Sequence, residues 1–306
     1  MSLHDRPKGE SRSAQHEGFQ VSTRAKFRHF DRLRVRWAEV DLQKIVFNGH
    51  YLMYFDTAVA GWWRALGLPY LQTVAALGGD FYARKTTLEY FASARYDEQL
   101  DVGVRSTRIG KSSMVLDCAV FRGDELLVSG ELVYVFANPA TQTSQPIPAA
   151  LREVFEAFSA GQTMVTVRLG HWAELGLDAG AIRTQVFVEE QKIPAEMEWD
   201  SADSHCLHAV AYNRLGLPLA TGRLLEHVPG MAKIGRMAVV APMRGSRVGR
   251  AVLDALVGAA AERGEREVLL HAQTSAAPFY SRAGFVTRGP EFDEAGIAHV
   301  EMLRSL

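Results

Sequence analysis

The chain has 306 residues, of which 47 % are hydrophobic and 23 % are charged, and its formal net charge is −1. This length favours two domains, and the balanced charge gives no electrostatic footprint of a nucleic-acid binder. Two distant cysteines, Cys118 and Cys206, form neither a disulfide framework nor a metal-ligand spacing. No apolar run reaches the roughly 18 residues of a membrane span. We therefore expect a cytoplasmic protein without nucleic-acid or membrane partners.

The first half is predicted to be a tail followed by an α+β domain. Residues 1–28 are polar and mixed in charge, which predicts a disordered tail, and the domain is expected over residues 29–160. Alternating apolar residues predict a strand over Leu33–Trp37, and the apolar segment Gly49–Leu66 predicts a buried helix. Four further strands are expected at Thr86–Tyr96, Leu100–Ile109, Ser113–Phe121 and Glu125–Phe136. One helix wrapped by an antiparallel sheet is the implied unit.

A carboxylate precedes this predicted helix. Asp41 comes just before the apolar segment Ile45-Val-Phe, and Asn48 opens the helix. Free amides at a helix N-terminus can polarise a thioester carbonyl and stabilise the oxyanion, so Asp41 can attack the carbonyl or activate a water. The structural alternative for Asp41 is a turn or capping carboxylate. His50 is expected to be a structural hydrogen-bonding residue.

The segment from Arg36-Trp-Ala-Glu-Val-Asp41 to Phe47-Asn48-Gly-His50-Tyr51 resembles the hotdog-fold acyl-CoA thioesterases, in their 4-hydroxybenzoyl-CoA thioesterase and YbgC-like branch. The resemblance covers about residues 30–158. It implies that Asp41 is the catalytic carboxylate, that the Asn48 amide is the oxyanion donor, and that active sites form between subunits of a homo-oligomer. Many YbgC-like members carry His where this chain has Asn48, and Gln43-Lys44 replaces a glycine-containing pair.

The second half has a different order of elements and is predicted as a separate domain over residues 161–306. A strand at Met164–Arg168 is expected to precede a helix capped by Asp178. Further strands are expected at Cys206–Tyr212, Leu219–Leu225, Lys233–Val240 and Val268–His271, with a helix between the last two and a helical turn at Pro278–Ala283. The sequence predicts an α/β domain.

The segment from Arg236 to Arg250 reads as a strand, a loop and a helix start. Gly245 and Gly249 let the backbone curl tightly, and unpaired amides at a helix N-terminus attract anions. Positive charge is added by Arg244, Arg247 and Arg250. A pyrophosphate is the natural ligand, and a plain surface turn is the alternative.

Together with Phe279-Tyr280-Ser-Arg-Ala-Gly284-Phe285, this segment resembles the GNAT N-acetyltransferase family. The run Arg183–Gln191, with Glu198, Asp200 and His208 after it, resembles the ElaA-like branch of that family. The resemblance covers about residues 164–306 and implies a mixed, mainly antiparallel sheet. It also implies acetyl-CoA or another acyl-CoA as co-substrate, an amine acceptor and no permanently bound cofactor.

The same resemblance implies roles for individual residues. The pantetheine arm would pair with the backbone of Met237, Ala238 and Val239. The pyrophosphate would lie on the amides of Arg244, Gly245, Ser246, Arg247, Val248, Gly249 and Arg250. Tyr280 would protonate the leaving thiolate as general acid, its alternative being an aromatic core residue. The candidates for the general base that deprotonates the amine are Glu198, Asp200 and His208. For each of them, a purely structural role is the alternative. Gln273 lies at the acceptor site or caps a loop.

One departure from the GNAT pattern concerns backbone geometry. Arg247 stands where the family's loop carries its first glycine. Because only glycine is free to adopt a positive φ, we expect this residue to reshape the loop.

The leading hypothesis is a bifunctional acyl-CoA enzyme, with thioester hydrolysis in the first domain and acyl transfer to an amine, with acetyl expected, in the second. An acyl-CoA-binding regulatory or scaffolding protein with one degenerate domain is the alternative. Channelling of an acyl group between the two sites is a third hypothesis, which no residue pattern supports.

Overall fold

The computed structural model describes residues 23–306, so most of the predicted tail lies outside the described residues. Its described end is ordered: Arg24–Lys26 forms a 3-10 helix, and Phe27 is buried against Phe30 and Phe121. The folded part of the chain therefore begins before residue 29. Within the described range, no helix combines the length and the apolar character needed to cross a membrane.

The first half is an antiparallel sheet wrapped around a long helix, which confirms the predicted arrangement. Its elements are β1 (His29–Arg34), α1 (His50–Ala65), α2 (Tyr70–Ala76), β2 (Asp80–Tyr90), β3 (Gln99–Ile109), β4 (Ser113–Arg122), β5 (Glu125–Ala137) and α3 (Ala149–Ser159). The strands lie in the order β1-β3-β4-β5-β2, and all neighbours are antiparallel. β1 and β2 are the edges of this sheet.

The helix α1 packs tightly on the sheet. Phe55, Ala58 and Trp62 are fully buried on its inner side. Phe55 lies over Gly130 of β5, where an added Cβ would come within 2.5 Å of the Phe55 ring. Burying such an aromatic side chain stabilises the fold by roughly 1.5–3 kcal/mol. This packing fixes the N-terminus of α1 next to the end of β2, where the rings of Tyr51 and Tyr90 are 5.8 Å apart.

Two predicted strands of the first half are misplaced, and α2 is not predicted. The strand expected at Leu33–Trp37 is β1, and Trp37 instead begins a 3-10 helix. The strand expected at Thr86–Tyr96 is β2, which starts six residues earlier, at Asp80. β2 is an edge strand in which only Phe81 is buried, and its pairing is irregular between Ala83 and Lys85. The sequence of β2 therefore lacks the regular alternation of apolar and polar residues that would indicate where the strand begins and ends.

The second half is a seven-stranded mixed sheet with helices. Its elements are β6 (Val165–Gly170), α4 (Trp172–Arg183), a π-helix (Thr184–Glu190), α5 (Ala195–Glu198), β7 (Leu207–Asn213), β8 (Pro218–Val228), β9 (Met231–Val239), α6 (Val248–Glu262), β10 (Glu267–Gln273), α7 (Ala277–Ser281), β11 (Val286–Glu294) and β12 (Ile297–Ser305). The strand order is β11-β12-β10-β9-β8-β7-β6. Only β9 and β10 run parallel among the described pairs. This confirms the mixed, mainly antiparallel sheet.

Two expectations for the second half need correction. His171, not Asp178, is the N-cap of α4, and Asp178 lies inside the helix, where its carboxylate accepts a hydrogen bond of 2.6 Å from the Tyr212 hydroxyl. The hairpin of β11 and β12 is absent from the sequence prediction. β11 is exposed along almost its whole length, so it lacks the apolar alternation of a half-buried strand.

The two halves contact each other near the end of α1. The Asn213 side-chain amide donates a buried hydrogen bond of 2.9 Å to the Gly67 carbonyl. Leu215 packs against the core of the first half. The predicted boundary between residues 160 and 161 falls in the connection between α3 and β6.

Candidate active sites

A cavity of about 580 Å³ lies between the loop that precedes α1 and the segment that follows β2. Asp41 lines it and is half-buried. The Asp41 N–H donates to the Ile45 carbonyl, and Asp41 Oδ1 accepts a hydrogen bond of 2.8 Å from the Gln43 N–H. One carboxylate oxygen therefore stabilises the turn, as in the structural alternative. No described residue bonds the other oxygen.

Asn48 lines the same cavity, two residues before the first residue of α1. Its carbonyl accepts a hydrogen bond of 3.2 Å from the Tyr90 hydroxyl, which ties the loop to the end of β2. Between residues 23 and 306, neither the Asn48 nor the Gly49 N–H has an acceptor. These donors lie at the positive end of the helix dipole, as an oxyanion site requires. His50 does not line the cavity, and its ring packs against Phe47.

Glu39 shapes this loop, although no sequence pattern indicates it. It is 3 % exposed and accepts hydrogen bonds of 2.7 Å from the Arg36 N–H, the Arg36 guanidinium and the Tyr54 hydroxyl. Burial opposes its ionisation, but these three donors hold the pKa of Glu39 below its ordinary value. The Glu39 carbonyl also accepts the Phe47 N–H, so this residue fixes both ends of the loop that carries Asp41.

A second cavity of the first half, of about 440 Å³, lies between α1 and the sheet. Its apolar walls include Val59, Trp63, Phe81 and Leu116, and Pro242 of the second half lies at its rim. Trp63 thus contributes both to the core and to a cavity, whereas its neighbour Trp62 is fully buried.

In the second half, a cleft opens where β9 and β10 diverge. The two strands pair only as far as Ile234 and Leu270. Beyond that point β9 stays paired with β8, while its other side, along Met237–Val239, has no strand partner among the described residues. Arg236 has φ of +53° at a register shift of the β8–β9 ladder. The predicted pantetheine-binding backbone therefore faces an open cleft.

The loop from Arg244 to the start of α6 contacts the end of β9, since the Arg244 guanidinium donates a hydrogen bond of 3.2 Å to the Val239 carbonyl. Arg247 is the N-cap of α6, with φ of +69°, and Gly245 has φ of +81°. Arg247 thus adopts the left-handed conformation that a glycine takes freely, so at this position the loop keeps a glycine-like backbone instead of the reshaped one expected from the sequence. In the described part of the chain, the N–H groups of Val248 and Gly249 find no acceptor, which leaves an anion site at the helix start.

The three arginines of this loop are not equivalent. Arg244 forms two hydrogen bonds of 2.6 and 2.7 Å with Glu190, and Arg250 is 2.8 Å from Asp254. Arg247 is exposed and makes no ion pair with any described residue. Of these three arginines, Arg247 is therefore the one that can bind a phosphate without first breaking an ion pair within the protein.

Tyr280 lines a cavity of about 420 Å³ where β9 and β10 separate. It is 8 % exposed and packs against Phe279 and Phe285, yet no described residue bonds its hydroxyl. Burial raises the pKa of Tyr280 to about 12. Gln273 lines the same cavity and donates a hydrogen bond of 3.0 Å to the Gln191 side chain.

A buried ionic network forms one wall of this cavity. Arg183 is 1 % exposed, and its guanidinium binds Glu198 at 2.5 Å and Asp203 at 2.7 Å. Arg223 binds Asp203 at 2.7 Å and Asp200 at 2.6 Å. Removing one partner of such a buried set leaves an uncompensated charge. The network therefore anchors the segment of residues 195–204, which carries Glu198 and Asp200 at the cavity.

All three predicted base candidates bond to other groups. Glu198 and Asp200 bind arginines, and burial raises the pKa of Glu198. His208 does not line the cavity, and its Nε2 is 2.9 Å from the Asp203 carbonyl. Ligand atoms of Asp203, Cys206 and His208 lie within 4.8 Å of one another. Two guanidinium groups already bind the Asp203 carboxylate there, so a metal ion would meet an occupied ligand.

The cavity also contains a cluster of charged and titratable residues that no sequence motif indicates. Lys233 of β9 and His271 of β10 line it, with Glu294 and His299 from the β11–β12 hairpin. Lys233 Nζ is 3.4 Å from His271 Nδ1. These residues are up to 66 positions apart (233 and 299), and only the sheet order brings them together.

Comparison with known proteins finds a matching protein family for each half of the chain. The family model described as Thioesterase superfamily matches residues 43–129, a range that includes Asn48 and starts two residues after Asp41. The family model described as Acetyltransferase (GNAT) domain matches residues 180–306.

Individual relatives match one half each. The uncharacterized N-acetyltransferase YjcF of Bacillus subtilis is 38 % identical over 128 residues, which are 42 % of this chain and 90 % of that protein. A UPF0039 protein of Schizosaccharomyces pombe is 35 % identical over 127 residues, 41 % of this chain and 84 % of that protein. The crystal structure of a 1,4-dihydroxy-2-naphthoyl-CoA thioesterase from Synechocystis is 18 % identical, with a TM-score of 0.39, and covers 42 % of this chain and 94 % of that one.

Proposed function

The chain belongs to the thioesterase superfamily in its first half and to the GNAT acetyltransferase family in its second half, and from this premise we propose a bifunctional acyl-CoA enzyme. The first half hydrolyses an acyl-CoA thioester, and the second transfers an acetyl group from CoA to an amine. The observation that carries the proposal is the presence of two open cavities. Asp41 and the unpaired Asn48 amide line the first, and Tyr280 lines the second beside the free edge of β9.

In the first cavity, we assign the Asn48 N–H to the thioester oxygen. Charge that develops on this oxygen is stabilised there by a fixed donor at a helix start. The free oxygen of Asp41 either attacks the carbonyl carbon or takes a proton from the attacking water. In both routes the C–S bond breaks and CoA leaves as the thiolate. If Asp41 attacks, the acyl group is first held on Asp41 as a mixed anhydride, which a water molecule then hydrolyses. The acyl group leaves as the carboxylate, and of the two protons of the water consumed, one goes to the CoA thiolate and one to solvent.

In the second cavity, the pantetheine arm pairs with Met237–Val239, and the pyrophosphate lies on the amides that start α6. The amine attacks the carbonyl carbon, and the CoA thiolate is expelled. With a pKa of about 12, well above the value of about 8.5 for a thiol, Tyr280 keeps its proton throughout the physiological range. Its hydroxyl therefore stabilises the thiolate chiefly by donating a hydrogen bond, since complete proton transfer is uphill.

The test of this function is a thiol-release screen over acyl-CoAs of varied chain length and aromatic head, run with and without a panel of primary amines. Two separable activities are expected: CoA release that needs no amine, and an N-acetylated product that forms only from acetyl-CoA and an amine. Failure of both over the whole panel would contradict an enzymatic role.

A binding-only role for one domain is the second candidate function. Two observations favour it: the left-handed Arg247 in the anion loop and the use of one Asp41 oxygen in a turn. Calorimetry separates the candidates, because a sensor binds CoA tightly and turns over no substrate of the panel.

We expect Arg247→Gly to stabilise the fold and to weaken CoA binding. Glycine removes a left-handed strain of about 1–2 kcal/mol but adds roughly 0.5–1 kcal/mol of chain entropy to the unfolded state. The net gain in unfolding free energy is about 0.5 kcal/mol. Loss of the unpaired charge raises the Kd for CoA about threefold at low salt. Denaturation and calorimetry measure both, and Arg247→Lys, which keeps charge and strain, is the matched control. A lower unfolding free energy for Arg247→Gly than for the wild type would contradict backbone strain at Arg247.

We further propose that the first half forms a homodimer along β2. The free edge of β2 has no strand partner in the described structure, and it runs toward the Asp41 cavity, which Tyr90 lines. A second copy on this edge would pair its backbone and complete the cavity wall.

Light scattering is expected to give twice the chain mass of 33.8 kDa. Met53, 62 % exposed on α1, would lie near this interface, so Met53→Glu weakens the dimer, whereas Leu177→Glu in the second half does not. A monomer at micromolar concentration would contradict the proposal.

A further inference from the structure

His271 lies at the point where β9 and β10 part. Ile234 and Leu270 form the last parallel pair, and His271 is the next residue of β10. It lines the same cavity as Tyr280. A pantetheine arm that pairs with Met237–Val239 and runs toward this point would bring its thioester carbonyl next to His271. An amine that attacks this carbonyl must therefore pass close to the imidazole.

Charged groups from every strand around His271 face its ring. Lys233 Nζ of β9 is 3.4 Å from Nδ1, and Glu294 Oε2 of β11 is 3.5 Å from Nδ1. Glu301 Oε2 of β12 is 3.8 Å from Nε2, and Arg288 holds the other oxygen of Glu301 at 2.5 Å. Two further rings complete the surroundings, since Phe292 packs against His271 and His299 stacks on Phe292.

Resting on the proposed acetyl transfer, we propose that His271 is the general base for the acceptor amine and that Lys233 and Glu294 set the charge of its imidazole. The amine enters as an ammonium ion, and a neutral ring nitrogen of His271 takes one proton from it. The freed lone pair then forms the N–C bond, and the C–S bond breaks. The second amine proton ends on the CoA thiolate, and His271 returns its own proton to solvent. Acetyl-CoA and the ammonium thus give the amide, CoA and one proton.

The surroundings of His271 suit this role better than those of the three earlier candidates. Burial and the Lys233 charge lower the pKa of His271, so its imidazole is neutral near pH 7 and can accept a proton. Lys233 has no carboxylate within 4.0 Å among the described residues, so its charge acts on the ring without being neutralised by an ion pair. Glu294 has a side chain that is 51 % exposed and offers a route for the proton to solvent. Glu198 and Asp200 are bound by arginines.

The test follows N-acetyl product by mass spectrometry, which ignores thiol released by the first half. Acetyl-CoA is combined with a panel of a polyamine, an amino sugar, an aromatic amine and a lysine peptide, and the pH profile of kcat/KM is recorded for the fastest acceptor. We expect His271→Gln to lower kcat/KM about 100-fold and to remove the acid limb of the profile. The exposed His205 provides the control His205→Gln, which changes neither.

Two neighbouring variants distinguish catalysis from a structural role and remain informative if His271→Gln fails to fold. Lys233→Met removes a positive charge beside the ring, so the imidazole pKa rises and the acid limb moves to higher pH. Glu294→Gln removes a negative charge, so the limb moves to lower pH. Shifts in the same direction, or an acid limb that persists in His271→Gln, would overturn the assignment. If the wild type acetylates no amine of the panel, the proposed acetyl transfer itself fails, and this assignment with it.

Discussion

Asp41→Asn is expected to reduce amine-independent CoA release by about 10²–10⁴-fold, the usual contribution of a positioned acid–base group. The asparagine keeps a side-chain oxygen that can accept the Gln43 N–H, so the turn that Asp41 now stabilises persists. What disappears is the negative oxygen that no described residue bonds. Thiol release from the best acyl-CoA of the screen measures the loss, and thermal unfolding verifies that the fold is intact.

A charge control belongs with this variant. Asp124 is an exposed carboxylate in the turn between β4 and β5, and Asp124→Asn should release CoA at the wild-type rate. Amine acetylation should also be unchanged in Asp41→Asn, because the Asp41 cavity and the Tyr280 cavity share no lining residue. Equal loss of both activities would contradict two separate sites, and unchanged hydrolysis would leave Asp41 with only its turn role.

Elements with a buried, regular pattern could be predicted from the sequence. The apolar spacing predicts a helix over Gly49–Leu66, and α1 spans His50–Ala65, because this spacing repeats over four turns that pack on the sheet. The sequence likewise predicts a strand over Leu100–Ile109, and β3 spans Gln99–Ile109. β2 and β11 could not be placed in this way, since edge strands with exposed faces carry little apolar periodicity.

The residues of the candidate sites also differ in whether local sequence or tertiary packing fixes their positions. Asp41 and Tyr280 lie within short motifs, and the chain itself fixes their positions near a helix start or a strand end. Glu39 escapes a sequence pattern because its partner Tyr54 is 15 residues away and meets it only after α1 has packed. Lys233 and His271 meet because β9 and β10 are neighbours, and strand order is a property of the whole sheet.

Tyr280→Phe is expected to lower acetyl transfer to an amine by roughly 100-fold while amine-independent hydrolysis is retained. The hydroxyl has no partner among the described residues, so its removal leaves no unsatisfied group and the unfolding free energy should not fall. The KM for acetyl-CoA should stay close to the wild-type value, because the hydroxyl interacts with charge that appears only as the C–S bond breaks.

Tyr212→Phe is the matched control, with the opposite signature. Its hydroxyl donates a hydrogen bond of 2.6 Å to Asp178, so its loss should cost about 1 kcal/mol of stability and leave acetyl transfer unchanged. In the wild type, a pKa of about 12 for Tyr280 keeps the phenol protonated, so deprotonation of Tyr280 produces no alkaline limb below about pH 10. Transfer at the wild-type rate by Tyr280→Phe would reduce this tyrosine to a core residue, and the leaving thiolate would then need a different donor.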